Sequence, residues 1–220
     1  MLFVDVSEYQ GTINWPLVAK YFKAAYIKAS EGLTWNDPRF QENRADANKY
    51  GVHVGAYHFT DVTNAVAEAE HFVSTIGRVG PRDLKPVLDF EVNPHGLSAV
   101  DLRVFTRKFN QTVYAKTGVL PMFYSYAGFI EGMKFAAPVG NGLWIAAYGR
   151  NDGKEYPVYA PAPWKKYQAH QFTSDGVVRG IKGHVDISDS PNGLWPLLAH
   201  PFKAAPLPYI TRGWFRAKPW

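Results

Sequence analysis

Short apolar runs with two-residue alternation recur along this chain, and the first five each lead into a segment with helical spacing. "LFVDVS" leads to "NWPLVAKYF", and "AAYIKAS" leads to a helix from about Pro38 to Tyr50, closed by Gly51. "VHVGAYHF" precedes a stripe of Ala65, Ala69, Phe72, Val73 and Ile76 that ends at Gly77. Apolar residues three and four apart share a helix face, and a glycine past the last turn closes it. "KPVLDFEV" precedes Ser98 and Asp101, a Ser-x-x-acid capping pattern, then Leu102, Phe105, Phe109 and Val113, with Gly118 as the stop. "LPMFYSY" opens a fifth unit with a short helix near Phe129 to Met133.

The rhythm then changes. "GLWIAAYG", "KYQAHQFTS" and "HVDIS" are strand-like, but Pro, Gly, Asn and Asp fill the intervals between them. The interval from Ser174 to Gly183, with its "SDG", is too short for a helical crossover and predicts a hairpin or tight connection. The pattern predicts an α/β chain, a modified TIM-like barrel of eight strands: five βα units followed by three strands with few helices. No GxGxxG or Walker pattern favours a nucleotide-binding sheet.

The 220 residues are 46% hydrophobic and 20% charged, enough for a sizeable core. There is no cysteine, which excludes disulfides and thiolate metal sites. "MLFVDVSEYQG" lacks the basic and apolar regions of a secretory signal, and no apolar run reaches the roughly 18 residues that span a membrane. The expectation is a soluble protein. Net charge is +5, of which Lys203, Arg212, Arg216 and Lys218 supply four within the acid-free residues 191–220. That stretch also holds six prolines. We therefore divide the chain into a barrel over 1–190 and a Pro-rich basic tail or linker over 191–220. The tail's charge suits an anionic partner such as a cell-wall polymer, a lipid headgroup or nucleic acid, and no motif reads nucleic-acid bases.

"KPVLDFEV" contains an oddity. Alternate strand residues share a face, so Asp89 and Glu91 point with Val87, opposite Leu88 and Phe90. The same parity puts Val4 and Val6 outward and Asp5 inward, and puts Val185 and Ile187 outward and Asp186 inward. Three strands thus aim acids at one end of the barrel, where barrel enzymes place their chemistry. Adjacency of the first and eighth strands would make Asp5 and Asp186 neighbours. Converging acids push one another's pKa values apart, so at least one can stay protonated near neutrality. That suits glycoside hydrolysis, in which one acid protonates the leaving oxygen and an anion stabilises positive charge on the sugar.

An acid cluster also suits Mg²⁺ or Ca²⁺. No EF-hand spacing, phosphate-cradling glycine loop or HExxH is present, so neither metal nor cofactor is expected. Ser7 and Ser125 lack a nucleophile-elbow context. Tyr57, Tyr124, Trp144 and Tyr148 lie late in their strands, where a ring can line a groove and meet a sugar face.

"DVSEYQG", "IKASEG", "VGAYHF", "PVLDFE" and "GHVDIS", in that order from residue 2 to about 190, resemble glycoside hydrolase family 25, the Chalaropsis-type lysozymes common among phage endolysins and bacterial autolysins. The resemblance implies a barrel of five βα units plus three strands. It also implies hydrolysis of the β-1,4 bond between N-acetylmuramic acid and N-acetylglucosamine in bacterial peptidoglycan. By motif match Glu91 would be the proton donor and Asp89 its partner, polarising either the substrate's N-acetyl group or the Glu91 carboxyl. Asp5 and Asp186 would complete an acidic floor. Tyr57, Tyr124 and Trp144 would contact substrate, with Tyr148, Glu31 and His58 as further candidates. An endolysin would act as a monomer, pass from host cytoplasm to wall, and need no membrane segment. Two departures stand out: "AHQFTS" puts His170 where the family usually has an aromatic, and "VDIS" lacks the asparagine or similar residue that often follows. A non-catalytic glycan-binding barrel and a chitinase-like endoglycosidase are the alternative readings.

Overall fold

A computed structural model of the protein describes residues 1–199. Residues 200–220, most of the expected tail, lie outside the described residues. The strands are β1 (Leu2–Val6), β2 (Ala24–Glu31), β3 (Trp35–Asn36), β4 (His53–Phe59), β5 (Val87–Asp89), β6 (Met122–Tyr126), β7 (Leu143–Ala146), β8 (Ala169–Gly176) and β9 (Val185–Asp189). The helices are α1 (Trp15–Val18), α2 (Phe40–Lys49), α3 (Ala65–Ile76), α4 (Ala99–Thr117) and α5 (Ala127–Met133).

Eight strands close into a barrel in the order β1-β9-β8-β7-β6-β5-β4-β2, with β1 and β2 completing the ring. All neighbours are parallel except β9, which runs antiparallel to both β8 and β1. The five βα units and the closing hairpin are those the sequence predicts. Two details differ. "NWPLVAKYF" forms only a single turn as α1, and β3 is a two-residue strand added antiparallel to the end of β2.

The helices form where the patterns place them because their ends are satisfied locally. Ser98 accepts the Asp101 amide at 3.2 Å and its hydroxyl donates to the Asp101 carboxylate at 2.6 Å. Gly118 ends α4 with φ 74°, a left-handed conformation that suits glycine, and its N–H returns to the Tyr114 carbonyl. Along α4, Leu102, Phe105, Phe109 and Val113 are all buried.

Strand alternation divides the core into two layers. Val4, Val6, Ile27, Leu88 and Phe90 pack outward against helices, while Phe3, Tyr26, Val87, Met122, Tyr124 and Trp144 fill the barrel. Gly55 on β4 leaves the room that the Tyr26 ring occupies. At the base, residues 195–199 lie across the barrel: Leu197 is fully buried in the inner layer, and its carbonyl accepts the Lys85 amide at 2.8 Å. The Ala199 amide donates to the Asp83 carbonyl at 2.7 Å. The base is therefore filled, and the opposite end is left for a site.

Candidate active site

Asp5 lies late in β1, Asp89 is the last residue of β5, and Glu91 follows two residues beyond it. Because β9 runs the other way, its second residue, Asp186, lies at the same mouth and pairs directly with Asp5 across the ladder. The segment carrying Glu91 is held on both sides after the strand proper ends. Thr60 donates its amide to the Asp89 carbonyl at 3.1 Å, the Phe90 amide donates to Tyr124 at 3.0 Å, and the Ser125 hydroxyl donates to the Phe90 carbonyl at 2.6 Å. Phe90 itself is buried among Phe105, Phe123 and Phe129, which fixes the backbone from behind.

All four acids line one cleft, together with Tyr57, Tyr124, Trp144 and Tyr148. Burial is the main force on their carboxyls. It raises Asp5 well above the ordinary range, with Asp186 and Glu91 adding to the effect and a Gln171 hydrogen bond opposing it. Burial and the neighbouring Glu91 raise Asp89 in the same way, against the pull of Lys28. Glu91 is raised by burial while its hydrogen bond with Asp89 works the other way. Asp186 is pushed up to about 6 by burial, with Glu91 contributing. Four charges cannot coexist cheaply in so little space, so near neutrality the cluster retains protons, the condition a general acid needs. Asp89 Oδ1 is buried and, among the described residues, has no hydrogen-bond partner.

The tyrosines form a neutral wall. Burial raises the phenols of Tyr57, Tyr124 and Tyr148 above their ordinary value. Trp144 is the floor: it is 2% exposed, packs edge-on against Phe3 and Tyr124, and donates its indole N–H to Ser188 at 3.0 Å.

Two candidates do not line this cleft. His58 follows the inward Tyr57 by one residue, so alternation turns it outward. It is fully buried between Phe72 and Phe109, with Ser30 at 2.9 Å and Glu68 at 3.0 Å. Glu31 ends β2 as an ion-pair partner of Lys28 at 2.7 Å and does not line the cleft. His170 is likewise outward and buried, with Nε2 2.8 Å from the Ala147 carbonyl and Nδ1 3.5 Å from Glu155. Among the described residues no group of three or more His, Asp or Glu side chains is placed to hold a metal ion.

Two residues of this site are absent from the sequence reading. Gln171 lies in the cleft, where its amide bridges Asp5, Tyr124 and Tyr148. Its signal was alternation with the inward Ala169, one step past the histidine that draws the eye. Lys28 sits over the rings of Trp35 and Phe59, at 5.0 and 5.1 Å, and lowers the Asp89 carboxyl. It lies inside "IKASEG", and an inward lysine in an apolar strand was the available signal.

The model for the glycosyl hydrolases family 25 matches residues 4–181. Lysozyme M1 of Streptomyces globisporus is 32% identical over 200 residues, covering 83% of this chain and 65% of that protein. The autolytic lysozyme of Clostridium acetobutylicum is 30% identical over 192 residues, covering 87% of this chain and 56% of that protein. The chain thus spans less than two thirds of the length of either curated relative. The crystal structure of a bacterial lysozyme from Streptomyces coelicolor superposes with a TM-score of 0.81 at 30% identity, covering 90% of this chain and 95% of the other. With the family match running through the strands that carry Asp5, Asp89 and Glu91, and with the whole barrel superposing on a lysozyme, the chain belongs to glycosyl hydrolases family 25.

Proposed function

We propose that this protein is a peptidoglycan hydrolase, an N-acetylmuramidase that cleaves the β-1,4 bond between N-acetylmuramic acid and N-acetylglucosamine. The observation that carries the reading is the meeting of Asp5, Asp89, Glu91 and Asp186 in one aromatic-walled cleft of a family 25 barrel. Relatives named as lysozymes support the substrate class.

Glu91 is the proton donor. It is the more accessible member of the Asp89–Glu91 pair, and burial raises its carboxyl towards the range where an acid still holds its proton. As Glu91 passes that proton to the glycosidic oxygen, the C1–O bond breaks and the leaving sugar departs as an alcohol. The substrate's own acetamido oxygen bonds to C1, and Asp89, with its unpartnered Oδ1, takes the hydrogen bond from the acetamido N–H. Water then attacks C1, giving its proton to Glu91 and restoring the acetamido group. Asp5 and Asp186 supply the negative field that favours positive charge at the sugar ring. Tyr57, Tyr124, Trp144 and Tyr148 shape the groove.

The test is digestion of purified peptidoglycan by wild type and Glu91→Gln, with each new reducing end assigned to muramic acid or glucosamine. Wild type releases muramic reducing ends, and Glu91→Gln loses at least a hundredfold in rate. Release of glucosamine ends alone, cleavage of chitin oligomers in preference to peptidoglycan, or binding without cleavage would overturn the reading.

A further inference from the structure

Gln171 joins three strands' worth of polar groups, and both ends of its amide are engaged. Its Oε1 accepts the hydroxyl of Tyr124 and the hydroxyl of Tyr148, each at 2.7 Å. Its Nε2 faces both carboxylate oxygens of Asp5, at 3.0 and 3.1 Å. Gln171 is 2% exposed, Asp5 and Tyr124 are each 6% exposed, and all three line the cleft. With Asp5 ionised, this orientation of the amide gives each of these groups a partner. Reversing the amide would then set its oxygen against the carboxylate.

A phenol has one proton. Here the protons of Tyr124 and Tyr148 are both engaged by Gln171, so what each hydroxyl offers the cleft is its oxygen lone pairs. An ionised carboxylate likewise only accepts. We propose that Gln171 is a positioning residue that sets the polarity of the β6-to-β1 side of the cleft: its donated hydrogen bonds favour the charged form of Asp5, and its accepted ones leave Tyr124 and Tyr148 with oxygen lone pairs towards the cleft. Substrate groups that meet this side must then be donors, hydroxyls or amide N–H groups. The Asp5 charge so favoured faces the positive charge that develops on the sugar. The statement about substrate rests on the muramidase reading; the statement about Asp5 does not.

The surroundings of Asp5 show why a fixed donor is needed there. Asp186 on β9 pairs with it directly, and Asp89 and Glu91 approach from β5. Tyr26 on β2, Tyr57 on β4, Tyr124 on β6 and Tyr148 after β7 are neutral phenols. Lys28 on β2 bears on Asp89. Against three acids and with no cation bearing on it among the described residues, Asp5 has the Gln171 N–H as the hydrogen bond that favours its charged form.

The experiment uses the full chain with ¹³C-labelled aspartate, in wild type, Gln171→Glu and Gln171→Leu. Gln171→Glu keeps an acceptor for both tyrosines and removes the donor to Asp5; Gln171→Leu removes both. The Asp5 carboxyl titration should move up by at least one pH unit in each variant, and the acid limb of the rate–pH profile on peptidoglycan should move up with it. At pH 6 the rate should fall at least tenfold, with KM changed less than kcat. In wild type the Gln171 side-chain amide resonance should shift with the same midpoint as Asp5, a measurement that needs no variant to fold. An Asp5 titration within 0.3 unit of wild type in both variants would overturn the proposal even if activity fell. So would a wild-type Gln171 amide indifferent to Asp5. If wild type cleaves no peptidoglycan, the muramidase reading fails while the carboxyl titration still decides the role of Gln171.

Discussion

Asp186 shows what convergence costs a single side chain. Its carboxyl is pushed up to about 6 by burial, against about 3.9 in an unfolded chain. Between those values the folded protein binds more protons than the unfolded chain, so stability falls as pH rises from about 4 to 6. The contribution is fully present below pH 4 and gone above 6. Asp186→Asn should therefore raise stability at pH 7 by on the order of 2 kcal/mol, flatten the slope between pH 4 and 6, and lower the rate on peptidoglycan. Denaturant titrations at pH 4, 5, 6 and 7 check the sign, and a stability at pH 7 that drops on substitution would contradict it. At this scale alternation made the inward acids legible, because a one-residue step reverses a side chain's direction. The same rule, applied to His58, would have turned it away from the cleft. Gln171 and Lys28 escaped because an uncharged amide and a rim lysine look ordinary until their partners, distant in sequence, are brought beside them.

Between elements, the junction of β4 with α3 rests on one buried glutamate. Glu68 Oε2 accepts the Thr60 hydroxyl at 2.6 Å and lies 3.0 Å from His58 Nε2, while Oε1 accepts the amides of Thr63 at 2.8 Å and Asn64 at 3.3 Å. Both Glu68 and His58 are fully buried. Removing one partner of such a group strands the others without hydrogen bonds. Glu68→Leu should cost about 3 kcal/mol, read as a fall in the denaturant midpoint at unchanged slope. A loss below about 1 kcal/mol would mean that water replaces the carboxylate. Helix α3 itself was legible from its stripe and closing glycine. What fastens it to the strand showed only as an oddity: Glu68, three residues after Ala65 and four before Phe72, puts a charge on the apolar stripe, and its partners Thr60 and His58 lie outside the helix. β3 was illegible for a different reason: its two residues are both exposed and leave no burial pattern.

The whole molecule separates two tasks along the barrel axis, with acids at the mouth and a packed closure at the base. Closure of the ring was predictable from the strand count and the short final connection. The seal was not, since residues 195–199 lack periodicity and hold the barrel through backbone bonds and one leucine. Leu197 fills the inner layer, and the Lys85 ammonium reaches the Pro196 carbonyl at 2.6 Å and the Asn141 carbonyl at 3.3 Å, with burial lowering it to about 8. Leu197→Ala should open a cavity and cost about 2–4 kcal/mol. The mouth is built on the other ends of the strands, so well below the melting temperature the rate on peptidoglycan should stay within twofold of wild type. Asp186→Asn should do the reverse, gaining stability and losing rate. The pair of variants thus tests whether the ends are independent: a base substitution that lowers the rate at temperatures where the protein remains folded would show that the seal also sets the spacing of the acids.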